Sequence, residues 1–137
     1  MPVTASWLDE NEKRPLRCDS LADLLREAAA SSPRPVIVVL EAAGASLHLL
    51  AGHATGTVVR YYPPAYEHVG VGSRHSIGDA EAAAIDAWQP PLTAYAFGHH
   101  TEFPRWSVVP HDVGECAARQ FCELPTEPPA AVSWEPD

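Results

Sequence analysis

The chain has 137 residues, 46% of them hydrophobic, with 18 acidic against 9 basic side chains and a formal net charge of −9. That length fits a single domain over residues 1–137 with enough apolar material to bury a core, which excludes a disordered chain. The acid surplus argues against binding nucleic acid or anionic membranes, both of which recruit clustered Lys and Arg, and favours a basic partner.

Cys18, Cys116 and Cys122 show no zinc-like spacing, and the N-terminus shows no charged-then-apolar leader, so a reducing cytoplasm is expected. The longest apolar run, around Pro35 to Leu40, is far shorter than the roughly twenty residues a bilayer requires. Eight arginines against one lysine, with abundant alanine and proline, fit a GC-rich bacterial genome.

In chain order, Ala5-Ser6-Trp7-Leu8-Asp9 reads as a first strand, followed by a charged turn from Glu10 to Arg14 that Pro15 closes. Ser20 with Asp23 after it marks a helix start, and Leu21, Leu24, Leu25, Ala28 and Ala29 recur at helical spacing. This predicts an amphipathic helix over Leu21 to Ala30, ended by Pro33 and Pro35. Val36-Ile37-Val38-Val39-Leu40, rich in β-branched residues and apolar on both faces, predicts a central strand covered on each side. Gly44 breaks it. Ser46 to Gly52 and Thr57 to Tyr62 follow as two strands joined by a turn over Gly52 to Gly56, and Pro63-Pro64 stops the second. His68 to Gly72 fits a strand or a loop, and Asp79 to Trp88 a helix or a loop.

Leu92 to Gly98 then reads as a strand, with Arg105 to Val109 as its partner across a turn at His99 to Pro104. Asp112 and Glu115 have capping-box spacing and start a second helix with Val113, Cys116, Ala117, Phe121 and Leu124 on one face; Pro125 ends it. Ala131 to Trp134 is a last edge strand flanked by prolines. Trp7, Phe97, Trp106, Phe121 and Trp134 sit in apolar patterns and are expected in the core. The expected fold class is α+β, a mostly antiparallel sheet with two main helices packed on one face.

No catalytic set assembles from these residues. His99, His100 and His111, with Glu102 and Asp112, have the chemistry of a metal shell, but adjacent histidines on a strand point to opposite faces. His100-Thr101-Glu102 has the H-x-E form of zinc deaminases, yet Cys116 and Cys122 lie six apart with no preceding proline and cannot supply the P-C-x-x-C half of that site. Gly70-Val71-Gly72-Ser73-Arg74 lacks the context of a phosphate-binding loop, and Gly-x-Ser-x-Gly is absent. No cofactor is expected. Tyr61, Tyr62 and Tyr66, beside Pro63-Pro64, fall where a strand passes into a loop, and exposed tyrosines are efficient contact residues.

The early tryptophan strand at Trp7 and the helix after it form part of a wider pattern. It continues in Thr101-Glu102-Phe103-Pro104, in Val109-Pro110 leading into the Asp112 helix with Phe121, and in the close Pro129-Ala130-Ala131-Val132-Ser133-Trp134-Glu135. In these the chain resembles the first-numbered immunity protein family of bacterial polymorphic toxin systems, whose members include inhibitors of cytidine deaminase toxins. Pro63 to Gln89 has no counterpart in the resemblance, and Leu124-Pro125 stands where a glycine usually precedes the proline.

The resemblance implies a non-catalytic inhibitor that covers the active-site cleft of a nucleic-acid-targeting toxin. A toxin built to hold a polyanion offers a basic cleft, which an acidic protein complements. The expected contact residues are Tyr61, Tyr62, Tyr66, Glu67 and His68 in one loop, and His99, His100, Glu102 and Arg105 in one turn. Two other readings are a stand-alone acidic interaction or regulatory module, and a metal-dependent enzyme using the His99, His100 and Glu102 region.

Overall fold

The computed structural model describes residues 2–7, 11–53, 56–64, 74–77, 92–96, 99–103 and 107–136. The expectations for His68 to Gly72 and for Asp79 to Trp88, and the core assignments of Phe97 and Trp106, lie outside the described residues. Among the described residues, one sheet contains nine strands. These are β1 (Val3–Ser6), β2 (Arg14–Leu16), β3 (Val36–Ala42), β4 (Ala45–Ala51), β5 (Val59–Tyr62), β6 (Arg74–Ile77), β7 (Leu92–Ala96), β8 (His99–Phe103) and β9 (Ser133–Pro136). Among the described residues two α-helices, α1 (Leu21–Ala30) and α2 (His111–Glu123), join it, so the fold is α+β as expected.

The strand order is β2-β1-β3-β4-β5-β6-β9, antiparallel at each step. The β7–β8 hairpin attaches through one parallel pair, Val36 with Tyr95. The middle of the sheet is the β3–β4 hairpin, whose register runs from Val36↔Ala51 to Ala42↔Ala45. Its two-residue loop is Ala43-Gly44, with φ of 53° and 80°. Positive φ at both positions matches the twist of a type I′ hairpin, and glycine takes the second without steric cost.

Alternation along β3 builds two cores. Val36, Val38 and Leu40 join Leu47 and Leu49 of β4 and Val59 and Tyr61 of β5 beneath the helices, where Leu21, Leu24 and Ala28 of α1 and Ala117, Ala118, Phe121 and Cys122 of α2 complete the cluster. Ile37 and Val39 face the other way and pack with Leu50, Val58 and the partly buried Val108. β3 is therefore covered on both sides, as its unbroken apolar run requires.

Several boundaries differ from expectation. Pro15 lies inside β2, paired with Thr4, because β2 is an edge strand and a residue without an N–H is tolerated there. His99 to Phe103 is a strand, with Ala96↔His99 to Leu92↔Phe103 as its register, where a turn was expected. Its alternating His100, Glu102 against Thr101, Phe103 suits a pleat. Of the strand expected over Arg105 to Val109, the first two residues lie outside the described residues, and Val109 makes an isolated bridge to Thr57, with N–H···O bonds of 2.9 and 2.8 Å.

The expected capping box is also absent, since α2 starts at His111 with Pro110 in the cap position and no side-chain cap bond. Asp112 instead stands in the first turn, where its charge favours the helix dipole. The buried face of α2 is Gly114, Ala117, Ala118, Phe121 and Cys122; Ala117 and Phe121 are buried as predicted and Val113 packs partly buried against them, whereas Cys116 is exposed and Leu124 is 52% exposed. Gly114 is required by proximity, because a Cβ there would collide with Thr57 Cγ2.

After α2 the proline-rich segment is tied down by three hydrogen bonds. The Tyr61 hydroxyl donates to Pro125 O (3.0 Å), the Ala131 N–H to Gln120 Oε1 (2.8 Å) and Trp134 Nε1–H to Pro129 O (2.8 Å). The Tyr61 ring lies 6.4 Å from Phe121 and 6.3 Å from Trp134 between centroids, so one aromatic cluster fixes the path that leads into β9.

Candidate partner-binding surface

The expected contact residues separate once placed on the fold. Tyr61 and Tyr62 are neighbours on β5 and point to opposite faces. Tyr61 is 1% exposed and belongs to the helix-side core, which corrects its assignment to an exposed loop: its ring is in the packing and its hydroxyl is engaged by Pro125. Tyr62 is half-buried on the second face, its ring 4.6 Å from that of His48. His99, His100 and Glu102 lie on β8. Tyr66, Glu67, His68 and Arg105 are outside the described residues.

Strand parity assembles a polar group on that second face which sequence reasoning missed. Ser46 and His48 on β4 oppose Tyr62 and Arg60 on β5. Burial lowers the His48 pKa from its usual value to about 4, and the nearby Arg60 guanidinium pushes the same way, so the imidazole is neutral at physiological pH. The available signal was period-two spacing, with polar residues at alternate positions of two strands that otherwise bury apolar side chains.

On the helix side a groove of about 520 Å³ opens between α1 and α2. Ala22, Leu25 and Ala29 of α1 form one wall, Leu49 and Ala51 of β4 the floor, and His111, Gly114 and Glu115 of α2 the other wall. Arg26 and His53 complete the rim. The groove exists because α2 approaches the sheet through Gly114 and Thr57 rather than through a large side chain. Its wall residues were legible only as helix faces, since no local pattern shows where two helices part.

The surface around the groove is acidic. α1 carries two acids and one arginine, and α2 three acids and one arginine. Arg26 bridges Asp23 at 2.9 Å and Arg119 bridges Glu115 at 3.1 Å, so each helix cation is neutralised by an acid on its own helix. Among the described residues, no group of three or more His, Cys, Asp or Glu is placed to hold a metal ion, and no helix is long and apolar enough to cross a membrane.

A comparison with curated proteins returns no match. The family model for immunity protein Imm1 matches residues 13–136. That span runs from β2 through both helices to β9 and takes in the groove and the aromatic cluster that fixes the C-terminal segment. The chain belongs to the Imm1 immunity protein family, and its partner class is therefore a toxin that it inhibits.

Proposed function

We propose that this immunity protein neutralises a nucleic-acid-targeting toxin, a cytidine deaminase, by seating on the mouth of its active-site cleft in the producing cell's cytoplasm. It acts by binding rather than by turnover. The observation that carries this reading is the charge balance, 18 acids against 9 bases, which extends to the two helices that wall the groove, with five acids against two arginines. A toxin that grips a polyanion presents lysines and arginines, and an acidic inhibitor is steered to them at rates that fall as salt rises. The resemblance to a family whose members include inhibitors of cytidine deaminase toxins supports the choice of chemistry.

The occupant of the α1–α2 groove in this reading is a toxin segment bearing an apolar side chain flanked by basic residues. The apolar side chain enters between Leu25 and Leu49, while the basic residues meet the acids of α1 and α2. The competing expectation places the contact at Tyr62, Tyr66, Glu67 and His68 and at His99, His100, Glu102 and Arg105, of which Tyr62 lies on the second face of the sheet.

The test is co-expression with the product of the neighbouring gene as the candidate toxin, followed by co-purification and a cytosine deamination assay on single-stranded DNA. The expected result is a stable complex without deamination. Leu25→Arg would block the groove, and Tyr62→Ala would strip the competing patch; loss of inhibition by the first alone assigns the groove. Failure of the pair to bind, or unchanged deamination within the complex, would sink the occlusion reading.

A further inference from the structure

The groove between α1 and α2 is larger than one side chain needs. A dry cavity of roughly 150 Å³ holds a benzene-sized group, and this groove measures about 520 Å³, so it has room for about three apolar side chains. Its α1 wall is Ala22, Leu25, Arg26 and Ala29, which recur at three- and four-residue spacing along one face. From Ala22 to Ala29 that face runs about 10 Å, or about two helical turns. The wall ends in the methyl groups of Ala22 and Ala29, and small side chains at a contact let a second backbone come close.

Backbone hydrogen bonding decides what form of chain can fill this space. The floor strand β4 is engaged on both edges: Leu49 is in register with Val38 on one side and Val59 on the other, the Leu50 N–H donates to Val58 O (3.1 Å), and the Thr57 hydroxyl donates to Leu50 O (2.7 Å). The walls are helices, whose interior amides and carbonyls bond within each helix. The groove therefore offers side chains and no strand edge. A segment entering it must satisfy its own N–H and C=O groups, because each one buried without a partner carries a desolvation cost. An α-helix does so internally, whereas an extended strand depends on a neighbour.

Charge selects the flanks of that segment. The two helices carry five acids against two arginines, and Arg26 and Arg119 are each held by an acid of their own helix. Asp112, in the first turn of α2 beside the His111 wall, is exposed and among the described residues has no ion-pair partner. We propose that the groove receives an amphipathic α-helix of the toxin, laid between α1 and α2 as a third helix. Its apolar side chains, three and four residues apart, pack over Leu49 and Ala51, and Lys or Arg on its flanks faces the acids of α1 and α2. The proposal rests on the toxin-binding reading of the groove and adds the form and residue pattern of the bound segment.

The complex with the product of the neighbouring gene is compared with each free protein by hydrogen exchange and mass spectrometry. The expected result is one protected stretch in the partner, with apolar residues three and four apart and Lys or Arg beside them. Ala22→Trp and Ala29→Trp, which fill the two ends of the groove, each weaken binding by at least about tenfold, with thermal melts showing that the variant chain is folded. A proline in the middle of the protected partner stretch weakens binding about a hundredfold, and the same change at its first residue is tolerated, as a helical occupant requires. The exchange map needs no substitution, so it decides the matter even where a tryptophan variant fails to fold. Absence of a complex overturns the proposal together with the reading it rests on. A complex that blocks the toxin while protecting a partner stretch of alternating apolar residues, or while accepting the inner proline unchanged, overturns the helix alone.

Discussion

The two faces of the β3–β4 hairpin receive side chains from the same strands and meet different surroundings. Beneath the helices, Val36, Val38, Leu40, Leu47 and Leu49 enter a cluster that contains both helices, Tyr61 and Phe121. On the opposite face Ile37, Val39, Leu50 and Val58 form a smaller cluster, beside which His48, Arg60 and Tyr62 stand at alternate strand positions. A strand that is apolar at every position from Val36 to Leu40 thus serves one dry interface and one mixed one. Cohesion is concentrated on the helix side, and the second face carries groups whose contribution depends on solution conditions.

The comparison breaks first at Phe121. Its ring is fully buried and contacts Tyr61 edge-on, and truncation to alanine removes packing from α2, β5 and the C-terminal segment together. Phe121→Ala should cost about 4 kcal/mol by urea denaturation, against about 1 kcal/mol for Ile37→Val on the second face. Equal costs would show that the two clusters share the load.

The second face should show itself through pH. In the unfolded chain the His48 imidazole takes a proton near its model value of 6.5, while in the fold it stays neutral down to about 4. Below 6.5 the unfolded state binds more protons, so this contribution is complete above that pH and is lost as pH falls toward 4. Between pH 6.5 and 5 the loss amounts to about 2 kcal/mol. His48→Gln should flatten that part of the stability profile, and an unchanged slope would remove His48 as its cause.

Parts of this arrangement were legible in the sequence for identifiable reasons. α1 spans the predicted Leu21–Ala30 because its leucines repeat at 3.6 spacing and prolines follow. β3 was legible because nothing but a strand covered on both faces tolerates five consecutive branched apolar residues. Tyr61 and Tyr62 were read together as loop residues because Pro63 and Pro64 follow, yet strand parity divides them between core and second face. On α2, Ala117 and Phe121 were legible from helical spacing, whereas Gly114 and Ala118 look like filler; the missing side chain of Gly114 is what lets the helix approach Thr57. The groove arises from that approach between distant segments, which no window of sequence contains.

A finer cut concerns the C-terminal segment. The Tyr61 hydroxyl is the one part of that ring with a polar task, donating to Pro125 O across 64 residues of chain. Tyr61→Phe keeps the ring's contacts and leaves the carbonyl short of its donor, which should cost about 1 kcal/mol. Amide exchange at Ala131 and Trp134 should quicken in the variant by more than exchange in β3, since those groups depend on the path the hydroxyl fixes. Uniform acceleration throughout the protein would instead mean that the bond stabilises the fold only globally.

The smallest expected effect on stability separates cohesion from recognition. Arg119 bridges Glu115 at 3.1 Å on the exposed side of α2, with side-chain exposures of 53% and 34%. Such i, i+4 pairs contribute roughly 0.3–0.5 kcal/mol, so Arg119→Ala should leave the melting temperature almost unchanged. It also removes a positive charge beside the groove and releases a carboxylate that lines it. If the helix layer meets a basic toxin surface, association at low ionic strength should accelerate, and the gain should shrink as added salt shortens the Debye length. The same substitution that barely registers in unfolding would then register in the association rate, whereas unchanged kinetics at every salt concentration would move the interface away from the helices, toward the face that carries Tyr62.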